Sequence, residues 1–185
     1  MFKTSLLALI FTTTLIFQGC SDNDKVEQAN QMIASNEFVL TTTNGKQLVV
    51  RKSKDGFLLE GARDKVIIFD IFATWCPPCR ATAPHLAALQ KKYREDLVVI
   101  GMTIEDSISN EKLNDFKRTY HANYTLVNSS ENRKLINEIA QQLELGARFP
   151  IPLMVMYKDG VKVEHYLGAV EEEFVDSDIK KALNK

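Results

Sequence analysis

Val66-Ile67-Ile68-Phe69-Asp70-Ile71-Phe72-Ala73-Thr74-Trp75-Cys76-Pro77-Pro78-Cys79-Arg80 is the stretch that decides the fold. Its first seven residues are apolar at every position but Asp70, as expected of a short strand buried on both faces. A CxxC pair follows almost at once. Two residues between cysteines let the sulfurs meet as a disulfide across one helical turn. The same spacing places Cys76 at the N-terminus of the next helix, where unpaired backbone N–H groups and the macrodipole favour a thiolate. A thiolate is the attacking species in disulfide exchange, and a second cysteine then resolves the mixed disulfide. Cys76 is therefore read as nucleophile and Cys79 as resolving thiol. Pro77 and Pro78 stiffen the loop, and proline at a helix start sacrifices no hydrogen bond.

The chain has only three cysteines, so none remains for a separate structural disulfide once Cys20 is accounted for. A CxxC can also be half of a zinc site, but His85, His121 and His165 are scattered rather than paired at ligand spacing. No metal is called for, and no cofactor.

Cys20 closes an export signal. Lys3 supplies a short basic start, Leu6 to Phe17 an apolar stretch too short for a comfortable membrane span, and Gly19-Cys20 a lipobox-like end. Phe17 and Gln18 stand where that motif usually has Leu and a small residue, so an uncleaved anchor and ordinary export remain alternatives. The expected division is a signal peptide over residues 1–19, a polar tether over 20–36 and one domain over 37–185. Such a protein faces the periplasm in a bacterial cell envelope, where disulfides form, held to a membrane by lipid on Cys20. The formal net charge of −1 becomes −2 when Lys3, the only charged residue of the signal, is removed. No basic patch for nucleic acid is present.

Glu37 to Leu40 and Lys46 to Arg51 flank Thr42-Thr43-Asn44-Gly45, a strong hairpin signal. Leu58 to Arg63 is a weaker segment. A helix is predicted from Cys76 or Pro77 to about Tyr93, kinked at Pro84, and Leu97 to Thr103 reads as another buried strand. Asn110 to His121 and Ser130 to Leu143 read as amphipathic helices around a strand at Tyr124 to Val127. Leu153 to Tyr157 and Lys162 to Leu167 form a second hairpin, and Glu171 to Leu183 a last helix. Strands alternating with helices imply an α/β fold, a mixed sheet covered on both faces.

The segment from Phe69 to Arg80 resembles the thioredoxin active site, and more narrowly that of the exported TlpA/ResA/CcmG group. Pro84 falls at that family's helix-kinking proline, and Ile151-Pro152-Leu153-Met154-Val155-Met156-Tyr157-Lys158-Asp159-Gly160 matches the segment carrying its cis-proline. Asn110 to Leu143 resembles the helix–strand insertion of the TlpA group, and the Asn44-Gly45 hairpin its N-terminal extension. The resemblance implies a thioredoxin fold, a thiol:disulfide oxidoreductase, a membrane electron donor and protein thiol or disulfide substrates such as apocytochrome c. It also implies a cis bond before Pro152, with the Ile151 backbone against Cys76. The chain departs from thioredoxin at Gly101, where that family has a lysine beside the buried aspartate, and at Pro77, which replaces a glycine. Asp70 is in turn often asparagine within the TlpA group.

Asp70 is a candidate base for Cys79, since burial raises a carboxyl's pKa towards neutrality; bonding backbone groups beside a wet crevice is the alternative. Trp75 is either an apolar docking surface, with Pro77, Pro78, Ile151 and Pro152, or a lid packed on the fold. Phe72, Phe116 and Phe174 read as core, and His85 as a surface residue. The leading function is reduction of protein disulfides. The alternatives are an oxidase or isomerase, or a tethered binding module such as a holdase or copper chaperone. A peroxidase is disfavoured because Thr74 lies only two residues before Cys76.

Overall fold

A computed structural model describes residues 36–146 and 148–185. The signal, Cys20 and all of the tether but Asn36 lie outside the described residues. The domain begins with β1 (Glu37–Thr41), β2 (Gln47–Lys52) and β3 (Phe57–Leu59), a three-stranded antiparallel sheet. Gly45, at φ 85°, supplies the left-handed residue of the β1–β2 turn. The predicted hairpin is therefore present but extended by a third strand paired with β2, and the weak segment read from Leu58 to Arg63 is a strand only over Phe57–Leu59.

The central sheet has five strands in the order β6-β5-β4-β7-β8. They are β4 (Val66–Phe72), β5 (Leu97–Thr103), β6 (Thr125–Val127), β7 (Leu153–Lys158) and β8 (Val161–Leu167), and the described helices are α1 (Pro77–Lys92), α2 (Asn110–Thr119), α3 (Asn132–Gln142) and α4 (Glu172–Ala182). β4 runs parallel to β5 and antiparallel to β7, so the sheet is mixed, as the alternation of elements predicted. The small sheet is stitched to the edge strand β6 by an antiparallel bridge between Thr42 and Val127 and by the Thr43 N–H donating to the Leu126 carbonyl at 3.0 Å.

Successive side chains of a strand point to opposite faces, so β4 feeds two cores. Val66, Ile68 and Phe72 pack with Ala83, Leu86 and Leu89 of α1, Leu113 and Phe116 of α2, and Val175 and Ile179 of α4. Ile67, Phe69 and Ile71 pack on the other face with Leu135, Ile136 and Ile139 of α3 and with Phe38 and Phe57 of the small sheet.

Pro84 lies inside α1, which continues past it to Lys92. Phe72 and Phe116 are core, as expected, but Phe174 is 62% exposed. Val175 and Ile179, one turn apart, take the inward stripe of α4 and turn their neighbour Phe174 outward.

Candidate active site

The strand β4 hands over to α1 through Ala73-Thr74-Trp75, and Cys76 is the N-cap of that helix. Its backbone is extended (φ −80°, ψ 112°) and its Sγ accepts the Cys79 N–H at 3.3 Å. Cys76 and Cys79 are joined as a disulfide, with Cα atoms 5.3 Å apart. Both are 3% exposed. The helix terminus was expected to aim several unpaired N–H groups at Cys76, but Pro77 and Pro78 occupy its first two positions and have none. The Arg80 N–H goes to the Cys76 carbonyl at 3.1 Å, so the Cys79 N–H is the backbone donor left for the sulfur.

The approach loop is clamped from two sides. The Thr74 N–H and hydroxyl donate to the Glu105 carboxylate at 2.6 and 3.0 Å, and Arg80 Nε donates to the Thr74 carbonyl at 2.8 Å. Burial works to raise the Glu105 carboxyl, but the bonds from Thr74 and from Lys112 outweigh it and hold the group below its usual range. The Arg80 guanidinium lies 5.1 Å over the Tyr120 ring, whose neighbour Phe116 packs on Phe72.

Around the buried sulfurs the rim is apolar and open. Trp75 is 58% exposed, so it is not a lid packed on the fold, and Pro77 and Pro78 are exposed beside it. The Ile151–Pro152 bond is cis, and the Ile151 carbonyl oxygen lies 3.8 Å from Cys76 Sγ. Pro152 itself is buried at the start of β7, its carbonyl accepting the Gly168 N–H at 2.8 Å. The structure thus brings Trp75, Pro77, Pro78 and Ile151 to one rim, with Pro152 just beneath.

Asp70 lies below, 3% exposed, on the α1 face of β4 with Val66, Ile68 and Phe72. Its register partners are Gly101 on β5 and Met154 on β7. Burial pushes its carboxyl up to about 7, against the lowering effect of a 2.8 Å hydrogen bond from the Tyr124 hydroxyl. The carboxyl is thus buried and accepts from a side chain inside the core.

Sequence reasoning missed Tyr124, Glu105 and Arg80 as parts of the site. Tyr124 was seen only as the start of a strand. Its signal was available in Gly101, since a glycine beside a buried carboxyl leaves a space that another residue must fill.

A disulfide seated where a buried strand becomes a helix, able to open to a thiolate at that helix's N-terminus, is a redox couple. On this sheet order it makes the domain a thioredoxin-fold thiol–disulfide oxidoreductase. The chain belongs to the Redoxin family, whose profile matches residues 35–183. It is 26% identical over 124 residues to a thioredoxin of Echinococcus granulosus, covering 66% of this chain and 85% of that one. It is 31% identical over 70 residues to the thioredoxin-like protein YneN of Bacillus subtilis, covering 37% of this chain and 41% of that one. A thiol:disulfide interchange protein of Chlorobium tepidum shares the fold at a TM-score of 0.62 and 20% identity, over 80% of this chain and 94% of its own. So does a secreted Mycobacterium tuberculosis disulfide oxidoreductase described as homologous to E. coli DsbE, at 0.56 and 16%, over 80% and 98%.

Proposed function

We propose that this oxidoreductase works as a reductant of protein disulfides in the bacterial cell envelope. Cys76 thiolate attacks one sulfur of a substrate disulfide, and the other leaves as a thiolate that takes a proton from water. Cys79 then gives its proton to the Asp70 carboxylate and attacks Cys76 Sγ. The second substrate thiolate departs, is protonated in its turn, and the enzyme is left as the disulfide. Two electrons have passed from the Cys76–Cys79 dithiol to the substrate. An external donor restores the dithiol, and a membrane electron donor fits a protein held at a membrane surface.

The observation that carries the direction is the helix terminus. A strong oxidant needs a heavily stabilised thiolate: the couples of thioredoxin, about −270 mV, and of the oxidase DsbA, about −120 mV, differ by roughly 7 kcal/mol. Here two of the terminal donors are replaced by Pro77 and Pro78, and the Cys79 N–H is the one left for Cys76. Asp70, with its carboxyl near neutrality, supports the same direction by helping Cys79 to attack and release reduced substrate. The exposed apolar rim of Trp75, Pro77 and Pro78, with the Ile151 carbonyl beside Cys76, suits an extended, unfolded thiol protein; apocytochrome c is one such substrate. Equilibration with glutathione, followed by mass spectrometry of trapped thiols, tests the reading. A couple oxidised near −150 mV is expected, and one still largely reduced there would mean an oxidase.

Envelope placement rests on the signal over residues 1–19 and on Cys20, which follows Gly19 and has no part in the redox couple. Proteins of similar fold, one of them secreted and two others thiol:disulfide interchange proteins, are consistent with it. Cys20→Ser should abolish metabolic labelling by a fatty-acid analogue; unchanged labelling would remove the lipid anchor from the proposal.

A further inference from the structure

Position 101 is where the chain departs from a charged partner for Asp70, and the structure shows what stands there instead. Gly101 pairs with Asp70 in the β4–β5 register. A Cβ on it would come within 2.6 Å of Leu126 Cδ2, 3.0 Å of Tyr124 Cε2 and 3.3 Å of Phe72 Cε1. The absent side chain is thus the opening through which the Tyr124 ring reaches the α1 face of β4. Tyr124 is itself 4% exposed, and its hydroxyl donates to Asp70 Oδ2 at 2.8 Å.

We infer that Tyr124 is the positioning residue of this active site: lodged in the notch left by Gly101, it holds the Asp70 carboxyl through a neutral hydroxyl and favours its charged, proton-accepting form. The inference rests on the reading of Asp70 as the base for Cys79. The groups that meet Asp70 are few. β5 pairs Gly101 with it, β7 pairs Met154 with it, the segment before β6 supplies Tyr124, and the core on this face of β4 includes Cys79 and apolar residues of α1. Among the described residues, Tyr124 is the one side chain that hydrogen-bonds its carboxyl. A lysine in this place would carry a charge and hold the carboxyl ionised over a wide pH range. A tyrosine hydroxyl stabilises the carboxylate with no charge of its own, and leaves it titrating where cellular pH can move it. Burial and the adjacent Asp70 drive the Tyr124 hydroxyl well above its ordinary range, so it stays protonated and remains a donor throughout the cycle.

Hydrogen bonds to charged groups are worth enough to move a pKa by roughly one to two units. The test follows the second thionitrobenzoate released when the reduced protein reacts with Ellman's reagent, the step in which Cys79 displaces the leaving group from Cys76, across pH 5 to 9 by stopped flow. In the native protein its rate should rise with a midpoint about the Asp70 pKa. Tyr124→Phe, which keeps the ring and the packing, should move that midpoint up by roughly one to two pH units. Asp70→Asn should abolish it. The carboxyl resonance of ¹³C-labelled Asp70 should titrate upward by the same interval in Tyr124→Phe, a readout that a purely structural role of the ring would not move. An unshifted midpoint and resonance in Tyr124→Phe, with the limb lost in Asp70→Asn, would overturn the role of Tyr124 and leave Asp70 as base. A limb that survives in Asp70→Asn would overturn both.

Discussion

The two faces of β4 have been put to different uses. Ile67, Phe69 and Ile71 point into a core closed by aromatic side chains: Phe57 meets Phe38 and Tyr157 edge to face, at 6.1 and 5.6 Å between centroids. That face is apolar throughout. The other carries Val66, Ile68 and Phe72, but between the last two it buries a carboxyl, faces a glycine and admits a tyrosine hydroxyl. A buried polar pair is tolerated there because it is satisfied, and the function proposed above gives it a use. One face therefore holds the sheet together, and the other trades some of that cohesion for a buried carboxyl bonded to a tyrosine hydroxyl.

The largest separation between the faces should come from the sulfurs themselves. Cys76→Ser should reduce disulfide turnover by several orders of magnitude, since it removes the attacking thiolate. Cys79→Ser should instead accumulate mixed disulfides with substrate protein, visible on non-reducing gels. Trapping by Cys76→Ser rather than Cys79→Ser would reverse the assignment of roles. On the scaffold face, Phe57→Ala should cost about 3–5 kcal/mol of stability in urea unfolding, because it empties a site enclosed by two other rings. The reduction potential of the surviving folded protein should not move. A shift in potential comparable to that of a site variant would show that the two faces are coupled after all.

What the chain disclosed about itself follows the same division. The strand–CxxC–helix unit was legible because each part is local: a two-sided apolar run, a spacing of cysteines, and prolines at a helix start. The order of elements from Val66 to Leu183 followed from periodicity, and Ile151-Pro152 was reached through family resemblance rather than from its own residues. Phe174 was misplaced because its helix has adjacent apolar residues, Phe174 and Val175, and only packing chooses which one turns inward. Glu105 and Tyr124 could not be read as site residues, since the first reaches Thr74 across 31 positions and the second reaches Asp70 across 54. Pro77 and Pro78 were in plain view, yet their missing N–H groups were counted as tolerance of a helix start rather than as donors lost to Cys76.

Asp70→Asn provides the finest comparison, because its effect on stability should change with pH while that of Phe57→Ala should not. The folded-state pKa of Asp70 is raised from 3.8 to about 7, chiefly by burial. At pH below about 4 the carboxyl is neutral in both folded and unfolded chains, so it carries no ionisation penalty. As pH rises from 4 to 7 the unfolded chain releases this proton and the folded one retains it. The folded state then binds more protons, and stability falls with pH. Above 7 the penalty is complete, and a shift of about three units corresponds to about 4 kcal/mol. Asparagine keeps the shape and never ionises, so the variant should gain on the native protein from near nothing at pH 4 to as much as about 4 kcal/mol at pH 8, while the Cys79 step slows. Urea unfolding of both oxidised proteins at pH 4, 6 and 8 measures the difference directly. A difference that stays flat would mean that Asp70 ionises in the fold as readily as in water, and the α1 face of β4 would then be no less settled a core than the other.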